Sequence, residues 1–276
     1  MTPVQFAVLG HPIDHSLSPR IHDAFARQFG IELVYRTIDA APDDFEAAVR
    51  RFFDEGGRGA NVTLPHKAAA FAFADQRSEA ATRSGSANVL TRLADGKLAA
   101  HNTDGAGMLR DITERHGVDL RGHTGLLLGA GGAARGVAWR LLDAGVQTLT
   151  IVNRSPEAAD VLADAIGDPV RAHTRYWNDL ADIGSYDLII HATSAGVLGT
   201  PLRLPFSLVG ARALCYDLSY GAAAAGFLAW AKTAGARYAF DGLGMLVETA
   251  ADAFELWHGR RPDTEPVYRM LRGAPA

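Results

Sequence analysis

Residues 124–134 read Thr-Gly-Leu-Leu-Leu-Gly-Ala-Gly-Gly-Ala-Ala, a short apolar run that breaks into glycines. The apolar run predicts a strand. Gly129, Gly131 and Ala134 have the G-x-G-x-x-A spacing of a dinucleotide-binding turn. Alone that spacing is weak, because glycine-rich turns are common. Its surroundings strengthen it: a helix is predicted from about Ala133 to Ala144, and a second strand from Gln147 to Val152. The chemistry needs small residues here. Gly129 permits the tight turn, Gly131 lets the backbone approach a pyrophosphate, and Ala134 lets the helix pack closely. Ala130, Gly132 and Ala133 complete the loop. The helix start offers N–H groups and a positive dipole end to phosphates.

Downstream the alternation continues, with a helix at Pro156–Ile166 and strands at Tyr186–His191 and Ala213–Asp217. This implies a Rossmann-type, doubly wound parallel sheet with helices on both faces. The end of the second strand selects the dinucleotide. An acidic residue there would hold a free ribose 2′-hydroxyl. This chain has Asn153-Arg154-Ser155 instead. An arginine fork attracts a 2′-phosphate, so NADP is the expected cofactor. Glu157 lies nearby and weakens the positive pocket somewhat.

Upstream, strands are predicted at Val4–Leu9, Leu33–Ile38 and Gly59–Val62, with helices at Pro19–Gly30 and Pro42–Glu55 between them. Asn88–Leu93 and Leu98–Asn102 flank Asp95-Gly96, a hairpin signal, and Thr103–His116 has a helical pattern. This part reads as an α/β substrate domain. Ser16 and Ser18 precede its first helix, where two hydroxyls beside free N–H groups suit a carboxylate. Equally, Ser18 could simply cap that helix, with Pro19 at its first position. Asn61, Lys67, Asn88, Asn102 and Asp104 all fall near strand ends and together suggest a pocket for a polyhydroxylated ligand. Singly, each Asn is more often a turn residue and Asp104 more often a cap. The expected division is residues 1–104 for substrate, 105–241 for the dinucleotide, and 242–276 as terminal helices without strand partners.

The bulk composition narrows the function. The chain has 276 residues, 48% of them hydrophobic, and a formal net charge of -4. Such a surface is a poor match for nucleic acid. No apolar stretch approaches the roughly 20 residues of a membrane span. The first residues read as a strand rather than a leader, so a cytoplasmic location is expected. The single cysteine, Cys215, lies in an apolar run and reads as a small buried hydrophobe. His11 and His15 are separated by Pro12, and no H-E-x-x-H occurs, so no metal site is expected. A small-molecule substrate is the expected partner, and both monomer and homodimer stay open.

Several long motifs in order carry a resemblance. They are Gly10-His11-Pro12 with His15-Ser16-Leu17-Ser18-Pro19, Gly59 through Lys67, Asn102-Thr103-Asp104-Gly105, Gly129 through Arg135, Asn153-Arg154-Ser155, Ala192-Thr193-Ser194, and Asp241 through Val247. Along nearly its whole length the chain resembles the shikimate dehydrogenase family. The resemblance implies NADPH-dependent reduction of 3-dehydroshikimate to shikimate, in a cleft between the two domains. It implies that Lys67 and Asp104 form the catalytic pair and that Ser16 and Ser18 bind the substrate carboxylate. It places Asn61, Thr63, Asn88 and Asp104 on the substrate's hydroxyl side, with Tyr220 against the substrate. Thr193, Ser194, Leu218, Gly242 and Met245 would line the nicotinamide end, and the last helices would return to the first domain.

The chain also departs from the family pattern. Thr249 stands on the substrate side where the family has Gln, and it is too short to reach as far. His191 replaces the Asn of Asn-Ala-Thr-Ser, Val89 replaces a Thr, Ala225-Gly226 replaces a Thr-Pro pair, and Ala158 replaces a second basic residue after Arg154. Two alternatives therefore stand beside the main expectation. One is a quinate/shikimate paralogue with altered substrate or NAD use. The other is a non-catalytic dinucleotide-binding protein.

Overall fold

The computed structural model describes residues 4–200 and 202–273. In chain order the elements are β1 (Val4–Gly10), α1 (Ser18–Phe29), β2 (Leu33–Asp39), α2 (Phe45–Asp54), β3 (Gly59–Val62), α3 (Lys67–Phe73), β4 (Gln76–Arg77), α4 (Glu79–Ser84), β5 (Val89–Arg92), β6 (Leu98–His101) and α5 (Asp104–Arg110). There follow β7 (Thr124–Leu128), α6 (Gly132–Asp143), β8 (Thr148–Asn153), α7 (Pro156–Ile166), β9 (Ala172–Tyr176), β10 (Tyr186–His191), β11 (Val209–Asp217), α8 (Ala225–Thr233), β12 (Tyr238–Phe240), α9 (Leu243–His258) and α10 (Glu265–Arg272).

The chain forms two compact units, one of residues 1–107 with 246–276 and one of residues 108–245. The divisions fall at residues 107/108 and 245/246, within α5 and α9.

The first unit holds a mixed sheet in the order β2-β1-β3-β5-β6-β4. β1 pairs in parallel with β2 and β3, β5 runs antiparallel to both β3 and β6, and β4 pairs in parallel with β6. The Asp95-Gly96 signal lies in the β5–β6 connection, and Gly96 takes a φ of +86°. One core gathers Ala7, Leu9, Phe45, Val49 and Phe52. The other joins Ile21 and Phe25 of α1 to Val247 and Phe254 of α9 and Val267 of α10. Burying side chains of this size contributes roughly 1.5–3 kcal/mol each, so α9 and α10 are integral to this unit.

The second unit is an all-parallel sheet in the order β12-β11-β10-β7-β8-β9. Alternate strand residues face opposite sides. Leu126, Leu128, Ile189 and Cys215 pack with Phe227 and Ala231 of α8. Leu127, Leu188, Ile190 and Leu214 pack with Val137 and Leu141 of α6 and Leu162 of α7. Cys215 is fully buried and its thiol is pushed up to about 12 by burial, which leaves it an inert core residue.

Several details differ from the sequence pattern. The predicted helix over 103–116 is α5 followed by a wider π-type turn at Asp111–Arg115. That turn carries the buried Asp111, whose carboxylate accepts the Tyr216 hydroxyl at 2.6 Å and the Arg115 Nε–H at 3.0 Å. α6 starts at Gly132, one residue early, and β11 starts at Val209, four residues early. The short elements α3, α4, β4 and β12, the polar edge strand β9, and the alanine-rich α8 carry no clear periodicity.

His22 of α1 is fully buried, and burial drives its imidazole down to about 3, with the hydrogen bond to Asn61 opposing this and His258 adding to it. The unfolded residue titrates at 6.5. Stability from this group is therefore present above pH 6.5 and is lost as the pH falls through about 3. At pH 5, unfolding should take up about one proton at His22. The pH dependence of the urea midpoint should lose about that one proton in His22→Gln; an unchanged slope would contradict a neutral buried His22.

Candidate active site

The register of three strands gathers the polar residues of the first unit. Asn61 lies opposite Val89, and Val89 opposite His101. Asn61, Asn88 and the 102–104 segment are thereby brought to one end of the sheet. Lys67 opens α3 after a turn in which the His66 N–H donates to the Thr63 carbonyl. His66 itself is buried, stacks on Phe45 at 4.5 Å and hydrogen-bonds the Ala40 carbonyl at 2.7 Å, which fixes that turn. The Lys67 carbonyl accepts the Ala87 N–H at 2.8 Å, tying the start of α3 to the segment that carries Asn88.

Lys67 Nζ meets Asp104 Oδ2 at 2.6 Å, with the side chains 14% and 4% exposed. The other carboxylate oxygen accepts from Asn88 Nδ2 at 3.0 Å. Asn88 also donates to Thr103 Oγ1 at 2.9 Å and accepts the Thr103 N–H at 2.9 Å. Both amide protons of Asn88 are thus engaged inside the protein, one of them on Asp104. Asn102 Oδ1 accepts the Asp104 N–H, while its amide donates to Ser84 and Ser86. The capping role at this helix start belongs to Asn102, and the Asp104 carboxylate is left for Lys67.

Asn61 is oriented by two residues that the sequence does not single out. Its Oδ1 accepts the Tyr35 hydroxyl at 2.7 Å and His22 Nε2–H at 3.1 Å. Both lone pairs are then filled, so Asn61 presents its NH2 group. One of those protons points to the Asn88 carbonyl at 3.4 Å. The Tyr35 hydroxyl titrates well above its ordinary value, chiefly through burial, with a Ser18 hydrogen bond opposing. Hydrogen bonds therefore link Tyr35 to Asn61, Asn61 to the Asn88 carbonyl, and the Asn88 side chain to Asp104, which holds Lys67.

Ser18 is the first residue of α1, and the cap position is Leu17, which makes no side-chain cap hydrogen bond. The capping alternative for Ser18 is therefore not realised. The Ser16 hydroxyl accepts the Ser18 N–H at 3.3 Å. Thr63 packs its methyl where a Cβ on Gly10 would stand, 2.5 Å away. Thr249 is buried, and its hydroxyl donates to the Leu246 carbonyl of its own helix at 3.0 Å. Tyr220 belongs to the second unit, in the turn after β11.

In the second unit the glycine turn follows β7. Gly129 has a φ of +119°, and a Cβ there would stand 2.8 Å from the Ala192 carbonyl oxygen. Gly131 precedes α6 in an extended conformation, and a Cβ there would meet nothing within 4 Å. Gly129 is required by the fold, whereas the space at Gly131 is open to a ligand. Ala134 is fully buried, Ala130 nearly so, and Gly132 and Ala133 form the first turn of α6. At the end of β8 the Asn153 amide donates to the Ser155 carbonyl at 3.0 Å. Arg154 and Ser155 are exposed, and Arg154 has no ion-pair partner among the described residues.

Thr193 and Ser194 follow β10, and Leu218 follows β11. A Cβ on Gly242 would lie 2.4 Å from the Leu218 carbonyl oxygen, and one on Gly244 would lie 1.8 Å from Asp111 Oδ1. Both glycines are therefore demanded by packing. Met245 is buried in the core shared with α6. Among the described residues no cluster of His, Cys, Asp or Glu could hold a metal ion, and no helix is long and apolar enough to cross a membrane.

Three family models match the chain. The shikimate dehydrogenase substrate-binding domain matches residues 8–90, shikimate / quinate 5-dehydrogenase matches 111–198, and the shikimate 5′-dehydrogenase C-terminal domain matches 242–272. The chain belongs to the shikimate dehydrogenase family. Its relatives in this family include a shikimate dehydrogenase (NADP(+)) of Xylella fastidiosa (strain 9a5c), 56% identical over 276 residues and covering 98% of each chain. The shikimate 5-dehydrogenase of Thermus thermophilus, solved with NADP(H) and shikimate, has a TM-score of 0.82 at 32% identity, covering 99% of this chain and 100% of that one. An Ael1 enzyme of Pseudomonas putida has a TM-score of 0.87 at 43% identity, covering 97% and 98%.

The two glycines of the turn should respond differently to substitution. Gly129→Ala should lower the melting temperature by several degrees, roughly 1–3 kcal/mol of strain and overlap. Gly131→Ala should melt within about a degree of the parent yet lose dinucleotide affinity. Calorimetric melting with and without dinucleotide checks both, and a destabilised Gly131→Ala would refute the reading of an open ligand space.

Proposed function

We propose that this protein is an NADP-dependent shikimate dehydrogenase that reversibly reduces 3-dehydroshikimate to shikimate, a step of chorismate and aromatic amino-acid biosynthesis, in the cytoplasm. The observation that carries the reading is the buried Lys67–Asp104 pair, at 2.6 Å, with Asp104 held in turn by Asn88. The residues of the second unit fit NADP. Gly131 leaves room for a pyrophosphate against the start of α6, and Arg154 is an exposed guanidinium at the end of β8 with no carboxylate on it among the described residues. Gly129 to Ala133 would hold the pyrophosphate, and Asn153, Arg154 and Ser155 the 2′-phosphate. Thr193, Ser194, Leu218, Gly242 and Met245 would border the nicotinamide. The hydride that adds to the ketone carbon is the chemistry NADPH supplies when bound.

The remaining steps belong to the chain. Ser16 and Ser18 hold the substrate carboxylate through their hydroxyls. Asn61, whose oxygen is filled by Tyr35 and His22, donates an N–H to a ring hydroxyl. Thr63, Tyr220 and Thr249 border the ring. The Lys67 ammonium lies on the ketone oxygen, stabilises the negative charge that grows there, and gives up a proton at Nζ. Asp104 holds Lys67 in place and accepts from the reacting hydroxyl, and Asn88 keeps Asp104 from turning. The feature that favours a variant with quinate or NAD use is Thr249, whose hydroxyl is engaged by its own helix.

Initial rates with shikimate or quinate, each with NADP or NAD, test the proposal. Preference for shikimate with NADP supports it, and preference for quinate or NAD supports the variant. Lys67→Ala should retain NADP binding and lose about 10²–10⁴ in kcat; near-normal turnover would remove Lys67 from the mechanism. Arg154→Ala should raise KM for NADP about tenfold or more and leave that for NAD nearly unchanged. Equal effects would mean that Arg154 does not read the 2′-phosphate.

A further inference from the structure

His191 is the last residue of β10, in register with Leu128 of β7 and Asp217 of β11. This is where the sheet changes direction, since β7 neighbours β8 on one side and β10 on the other. Open α/β sheets bind their ligands at such a point. The imidazole Nδ1 lies 2.9 Å from Asp217 Oδ2, and Nε2 lies 2.6 Å from Thr193 Oγ1. His191 and Asp217 are 2% and 0% exposed. The other Asp217 oxygen accepts the Ser219 N–H at 2.8 Å, and the imidazole stacks on Phe227 at 4.9 Å. Ring and carboxylate are thus both fixed.

The donor and acceptor roles follow from the chemistry. A carboxylate only accepts, so it takes the Nδ1 proton. A ring with a single proton then offers a lone pair at Nε2, and the Thr193 hydroxyl must donate to it. Thr193 Oγ1 also accepts the Ala195 N–H at 3.3 Å. One lone pair is left, and it can receive only a hydrogen-bond donor. The backbone beside Thr193 borders the glycine turn, because a Cβ on Gly129 would meet the Ala192 carbonyl oxygen.

We infer that His191, oriented by Asp217, is a positioning residue that locks the Thr193 hydroxyl as an acceptor for a donor hydrogen on the nicotinamide half of the dinucleotide. The inference rests on the NADP reading above. A pyrophosphate has no hydrogen to give. The 2′-phosphate half is assigned to Arg154 at the end of β8, on the opposite side of β7 from β10. The nicotinamide half carries donors, in its ribose hydroxyls and its carboxamide N–H, and it belongs on the β10 side. His191 touches Thr193 rather than the ligand, so it acts on cofactor placement.

Titration calorimetry of the full chain with NADP and with 2′,5′-ADP, which lacks the nicotinamide half, tests this. His191→Leu and Thr193→Val should each bind NADP about tenfold more weakly and 2′,5′-ADP within about twofold of the parent. Equal weakening toward both ligands would make the network merely structural and would overturn the inference, as would undiminished NADP binding in either variant. If His191→Leu does not fold, Thr193→Val keeps the side-chain volume and decides the same question. A parent protein that binds neither ligand would overturn the NADP reading itself, and this inference with it.

Discussion

An ammonium taken out of water costs several kcal/mol unless a carboxylate meets it. In this protein Asp104 meets Lys67 at 2.6 Å, and much of the first unit is arranged around that contact. Asp104 must be immobile to serve. Asn88 grips one of its oxygens, Asn102 holds its backbone N–H, and the β5–β6 pairing brings both asparagines to the same end. Lys67 must arrive from a different part of the chain. The His66 contact with the Ala40 carbonyl and the pinned Lys67 carbonyl deliver it. The pair is therefore a product of the sheet rather than of one loop.

The second unit meets a different demand, since it must leave space. Two glycines two residues apart show the difference. Gly129 is glycine because the Ala192 carbonyl and a positive φ exclude a side chain. Gly131 is glycine although nothing in the chain presses on it. The first answers to folding and the second to something outside the chain. The same contrast separates Gly242 and Gly244, both crowded by neighbouring atoms, from Arg154, which has no ion-pair partner among the described residues.

The parts legible in the sequence are those with local patterns. The strand–turn–helix around Gly129 is readable because apolar run, glycine spacing and helix lie within a few residues. Lys67, Asp104 and Asn61 are visible as polar residues near strand ends and through the family motifs. Tyr35 and His22 are not, because Tyr35 meets Asn61 only across the pairing of β1 with β2 and β3, and His22 reaches it from the separate helix α1. Asp217 escapes for the same reason. It lies 26 residues from His191, and only the β10–β11 register brings the two together. Asn88 stands out in the sequence, but its engagement with Thr103 and Asp104 depends on geometry that no spacing encodes. The short helices α3 and α4 and the edge strand β9 have too few periodic residues to announce themselves.

The hairpin of β5 and β6 keeps Asn88 and Asn102 at one end and an exposed turn, residues 94–97, at the other. The two ends are separated by the full length of both strands, and the antiparallel ladder between them resists slipping. Length can therefore vary at the turn without being felt at the asparagines. Natural insertions, an affinity tag or a fluorescent label would be accommodated there.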